Sequence, residues 1–200
     1  MVRNPVDVMY AMHSDRLYSG VEHIANFAVA LDSNEMRKWR SGRFKGQPWV
    51  RLSYRELVKF SEQIKRFIDI FGRKNVHVIV YDDFARNPGL IYKEVLAFLR
   101  VSPDYECGFT VIHANRRIRS AWVQDLLRNP PHTVTGVVRT FIPQPIRHHL
   151  RKALHRLNIK VAARRPLDER FRKRLQLEFE PEVQQLSNLL GRDLLNWITG

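Results

Sequence analysis

The sequence predicts an α/β layer fold with a parallel sheet, helix-rich because few of the sheet's strands fall within these 200 residues. Three observations lead there. Val76 to Tyr81 is short, β-branched and bounded by Asn75 and Asp82, as a buried strand should be. A helical apolar stripe precedes it and another follows, an order typical of a layered parallel sheet. Met1 to Arg3 is the only other stretch that can serve as a neighbouring strand, so most of the sheet's other strands are expected to lie upstream of Met1 or to be missing.

In chain order, Val2 reads as a strand end, Asn4 as a helix cap, Pro5 as the first helical residue and Asp7 as the acidic partner of a capping box. The free N–H groups of that helix would share a volume with the Arg3 guanidinium, which suits a phosphate or sulfate. Val21, Ile24, Ala25, Ala28 and Leu31 keep helical spacing and lead to the basic Arg37, Lys38 and Arg40. Ser41 to Pro48 reads as a loop. Ser53 then caps a helix whose stripe is Leu57, Phe60, Ile64, Phe67, Ile68 and Phe71, closed by Gly72 and expected to be core.

After the strand, Asp82 to Pro88 forms an exit, and a helix follows with Ile91, Val95, Phe98 and Leu99. Pro145 to Asn158 is amphipathic, with basic residues mostly opposite Ile146, Leu150, Leu154 and Leu157. From Asp168 a helical pattern carries Phe171, Leu175, Phe179, Val183, Leu186, Leu190, Leu194 and Trp197. Pro181 is expected to restart that helix and Gly191 to end it.

Composition narrows the function classes. The length favours one domain over 1–200, with 44% hydrophobic residues to form a core. There is no apolar run of about 18 residues and no leader-like opening, so a cytoplasmic protein is expected. Cys107 is the single cysteine and lies in no zinc-type cluster, so a buried small hydrophobe is expected there, and no metal. The net charge is +14, and within 115–165 there are 12 Lys or Arg against one acid, Asp125. This basic segment favours anionic partners, with a solvated face as the alternative.

The run Arg3-Asn4-Pro5-x-Asp7 resembles the segment that holds the 3′-phosphate of the sulfuryl donor PAPS in sulfotransferases, with Ala11 where that family has a serine. Val-Ile-Val-Tyr81-Asp82-Asp83-Phe84, followed by Asn87-Pro88, is similar to a second signature of the family, whose tyrosine contacts the adenine end of the donor. The tail ending in Leu-Leu-Asn-Trp197 looks like the C-terminal helix of bacterial sulfotransferase-domain proteins. The three segments fall in the family's order and span nearly the whole chain.

The resemblance implies a P-loop NTPase-like three-layer sandwich and transfer of a sulfuryl group from PAPS to a hydroxyl or amine. It makes Arg3, Tyr81 and Arg119 the candidate donor-binding residues, Arg119 through its place in a loop that closes over the 3′-phosphate. Neither the Lys-x-Gly-Thr-Thr-like loop for the 5′-phosphosulfate nor a catalytic base is found in these residues, and no catalytic residue is assigned. His13, near the first motif, is read as structural rather than catalytic. An unidentified acceptor, anionic if the basic groove receives it, would be the second substrate. The competing readings are a non-catalytic basic module that binds nucleic acid or another polyanion, and a degenerate sulfotransferase homologue. Against the former, no helix-turn-helix, zinc finger or RNP aromatic pair is present.

Overall fold

The structure is a computed structural model and describes residues 1–19, 21–22, 24–33, 53–102, 108–109, 116–118, 120, 123, 126, 146, 153–154, 157–161 and 164–199. Arg119, Cys107, the Ser41 to Pro48 loop and most of the basic 115–165 segment lie outside these residues. The chain divides into two units. One comprises Met1–Met12, Phe27–Val111 and Leu167–Gly200, the other His13–Asn26 and Ile112–Pro166.

Eight helices are described: α1 (Pro5–Tyr18), α2 (Phe27–Asp32), α3 (Tyr54–Leu57), α4 (Phe60–Phe71), α5 (Tyr81–Arg86), α6 (Pro88–Leu99), α7 (Glu169–Leu190) and α8 (Asn196–Thr199). A single 3-10 turn at Arg73–Asn75 and two short strands, β1 (Arg116–Ile118) and β2 (Ile159–Val161), complete the described set. The expected three-layer sandwich with a parallel sheet is therefore corrected: the described residues are dominated by helices. Among the described residues parallel pairing is confined to one isolated bridge, Val2 with Val80. Its two bonds run from Val2 N–H to the Ile79 carbonyl and from Tyr81 N–H to the Val2 carbonyl, each 2.8 Å. Toward the C-terminal side of the bridge the ladder stops, because both chains turn helical there: Asn4 caps α1 and Tyr81 begins α5. β-Branched residues make Val76 to Val80 extended, but a sheet also needs neighbours.

The first unit is held by two sets of contacts. Val2, Val80, Val183, Leu186, Leu194 and Trp197 form a buried cluster, with Phe60, Ile64 and Val78 packed against it. Separately, the Phe27 ring meets Tyr54 and Phe171 edge-on, at 6.0 and 5.8 Å between centroids, and tilts over Tyr10 at 5.2 Å. These contacts tie α1, α2, α3 and α7 together. Aromatic pairs in such geometries contribute about 1 kcal/mol each beyond area burial.

Several element boundaries depart from the sequence pattern. The run beginning at Val21 becomes helical only at Phe27. The stripe from Ser53 to Gly72 is split into α3 and α4 at Val58 and Lys59. Ser53 Oγ does cap α3, accepting the Glu56 N–H at 2.9 Å. The first turn of α4 is capped from a distance instead: Glu182 accepts the Ser61 N–H and Oγ–H, both at 2.7 Å. Toward the end of α4 the aromatics are not core, with Phe67 57% and Phe71 55% exposed and their rings stacked on each other at 6.1 Å.

Pro181 does not restart a helix, and α7 runs through it from Glu169 to Leu190. Proline removes the bond to the carbonyl of Leu177, a residue whose side chain is 71% exposed, so water can satisfy that group. Gly191 ends α7 at φ 63°, a conformation glycine adopts without steric cost.

In the second unit β1 and β2 pair antiparallel, Arg116 with Val161, Arg117 with Lys160 and Ile118 with Ile159. The buried Asn158 side chain extends that ladder. Its Oδ1 accepts the Ser120 N–H at 2.9 Å and its Nδ2 donates to the Ser120 carbonyl at 3.0 Å.

Candidate functional site

The three motif segments converge in the first unit. Asn4 is central. Its Oδ1 accepts the Val6 N–H at 3.0 Å, which caps α1, and its Nδ2 donates to the backbone carbonyl of Trp197 at 2.9 Å. Trp197 in turn donates its indole N–H to Asp82 Oδ2 at 2.7 Å. The Arg192 guanidinium grips both oxygens of Asp83, with Nη2 2.8 Å from Oδ1. The C-terminal tail thus clasps the Arg-Asn-Pro turn and the Tyr81 segment together.

The clasp settles the charge next to Tyr81. Hydrogen bonding and attraction from Arg192 hold the Asp83 carboxyl below its ordinary range, despite an opposing effect of burial. The same pair raises the Arg192 guanidinium above its ordinary value. Asp82 and Asp83 are therefore both engaged by the tail.

Arg3 and Tyr81, 78 residues apart in sequence, are brought into contact. The Arg3 guanidinium carbon lies 4.4 Å from the centre of the Tyr81 ring, in cation–π geometry. Face-on stacking leaves the in-plane N–H groups of a guanidinium free to reach an anion. The Arg3 side chain is about one-third exposed, and Asp7, in the first turn of α1, lies 3.9 Å from it. That separation exceeds a hydrogen bond.

Two sequence expectations for this turn are corrected. Asp7 does not complete a capping box, because its carboxylate accepts from Arg172 Nη2 at 2.7 Å. The helix terminus also supplies fewer free donors than expected, since Pro5 has no N–H and the Val6 N–H is taken by Asn4. Anion binding at this turn would rest mainly on the Arg3 side chain.

Arg172, Arg192 and the indole of Trp197 were not legible as site residues. Each partner lies more than 100 positions away, and no local pattern marks such a pair. His13 is turned inward in the second unit, 2% exposed, and its Nε2–H donates to the Ile24 carbonyl at 2.9 Å. A buried imidazole bonded this way serves packing. No group of three or more His, Cys, Asp or Glu side chains suited to a metal occurs among the described residues.

The backbone has the fold of part of a sulfotransferase. It is similar to a crystal structure of a sulfotransferase from Alicyclobacillus acidocaldarius, with a TM-score of 0.62 and 23% sequence identity. The match covers 98% of this chain and 55% of the other, so this chain spans about half the length of that protein. No family model and no curated protein matches the chain. Among the described residues no helix is long and apolar enough to cross a membrane.

Proposed function

We propose that this chain carries the 3′-phosphoadenosine half of a PAPS site and acts as part of a sulfotransferase. The observation that carries this reading is the stacking of Arg3 on Tyr81 at 4.4 Å, which unites residues from two separate motifs. The fold likeness to a sulfotransferase supports it.

The residues present fit a phosphorylated nucleoside. Arg3 would hold the 3′-phosphate through its in-plane donors, and Tyr81 would meet the adenine end with its ring or hydroxyl. Bound PAPS would supply the sulfuryl group for transfer to a hydroxyl or amine. Arg119, outside the described residues, remains part of the proposal as a further phosphate ligand. The chain's own contribution is to bind and orient the nucleotide, with the Asp83 charge paired to Arg192 so that it repels the phosphates less.

Calorimetric titration with adenosine 3′,5′-bisphosphate and with adenosine 5′-monophosphate tests this. The bisphosphate should bind at least about tenfold more tightly, because only it engages Arg3. Equal affinities, or no binding of either, would refute the reading.

A further inference from the structure

Arg172 sits in the first turn of α7, whose N-terminus is capped by Asp168 Oδ1 accepting the Phe171 N–H at 2.9 Å. From there its Nη2 reaches Asp7 at 2.7 Å, while Arg3 stands 3.9 Å from the other oxygen of the same carboxylate. One acid thus lies between two guanidinium groups and is hydrogen-bonded to only one of them. Arg3 and Arg172 are each one-third exposed and Asp7 slightly less, so water and small anions can reach the trio.

The asymmetry matters because Asp7 is the natural competitor for Arg3. The two are four residues apart in sequence and already 3.9 Å from each other, within the range of a direct charge pair. A direct Arg3–Asp7 pair would occupy the guanidinium donors and cancel the charge that an anionic ligand needs. With Asp7 drawn toward α7, Arg3 keeps its place over Tyr81 at 4.4 Å and its fork stays open.

From this geometry we infer that Arg172 is a positioning residue for the nucleotide site, holding Asp7 away from Arg3 so that Arg3 remains available to a phosphate group. The inference rests on the proposed role of Arg3, and it makes a charge-specific prediction that a purely structural role does not. Arg172→Ala should let Asp7 turn onto Arg3 and weaken binding of adenosine 3′,5′-bisphosphate about tenfold. Arg172→Lys, which can still draw Asp7 away, should retain most of the affinity. Adding Asp7→Asn to Arg172→Ala should restore binding to within about threefold of the unmodified protein, because the competing carboxylate is gone.

Affinities are measured by calorimetry for the four proteins, and helix content by circular dichroism confirms that each is folded. Unchanged affinity in Arg172→Ala, or failure of Asp7→Asn to rescue it, overturns the inference while leaving the Arg3 reading intact. If the unmodified protein does not bind the nucleotide, the Arg3 reading falls. A crystal structure of Arg172→Ala then decides the positioning claim by itself: Asp7 within hydrogen-bond distance of Arg3 supports it, and Asp7 remaining beyond about 3.5 Å overturns it.

Discussion

Replacing Trp197 with phenylalanine should loosen the clasp that holds the two motif segments together. The indole is 3% exposed and its N–H reaches a carboxylate at 2.7 Å. Loss of a hydrogen bond to a charged group costs about 1–2 kcal/mol here, toward the low end because Asp82 is only partly buried and can be rehydrated. The smaller ring leaves a void against Val2, Val80 and Leu194, which adds roughly 1 kcal/mol. The backbone carbonyl of residue 197 keeps its bonds from Asn4 and Gln176, so that part of the clasp survives. The total is about 2–3 kcal/mol, or a fall in melting temperature of about 5–10 °C for a chain of this size. Urea unfolding followed by circular dichroism measures the first number and thermal melts the second. A double-mutant cycle with Asp82→Ala should return a coupling of about 1 kcal/mol. A Trp197→Phe protein within about 0.5 kcal/mol of the original, or a coupling near zero, would refute the reasoning.

Two further outcomes follow from the same contacts. The Asp83 carboxyl titrates below its ordinary value near 3.8 in the folded protein because of Arg192, so its contribution is present above that value and lost as pH falls through the folded one. Asp83→Asn should therefore flatten the loss of urea resistance between about pH 5 and pH 2, by under about 1 kcal/mol given the exposure of Arg192; an unchanged slope would contradict the pairing. Glu182→Ala should destabilise the protein by about 1–2 kcal/mol, since the first turn of α4 loses its only side-chain cap among the described residues. Urea unfolding checks this, and a variant as stable as the original would remove Glu182 from that role.

What could be read from the sequence was local. Asn4 before Pro5 signals a helix start through chemistry confined to a few residues, and it caps α1 as that chemistry requires. Gly191 marks a helix end for a similarly local reason. The misreadings share one physical cause. Val76 to Val80 has the residue types of a strand, but sheet formation depends on a partner that the pattern does not name. Phe67 and Phe71 lie on one face of α4 as their spacing requires, yet spacing does not say whether anything covers that face. Pro181 breaks an isolated helix more readily than one with Val183 and Leu186 packed in a core on the same helix.

The candidate site divides the same way. Arg3 and Tyr81 stand out in the sequence as candidates because each sits in a compact motif. Their contact and the clasp from Trp197 and Arg192 depend on pairings across most of the chain, as does the Asp7–Arg172 pair.

The claim that matters most is that Arg3, stacked on Tyr81, receives the 3′-phosphate of a nucleotide. Calorimetric titration of adenosine 3′,5′-bisphosphate into the unmodified protein and into Arg3→Ala tests it most directly. Loss of the charge-assisted bonds should weaken binding by roughly tenfold to a hundredfold in Arg3→Ala, with helix content unchanged. Equal affinity in the two proteins would contradict it.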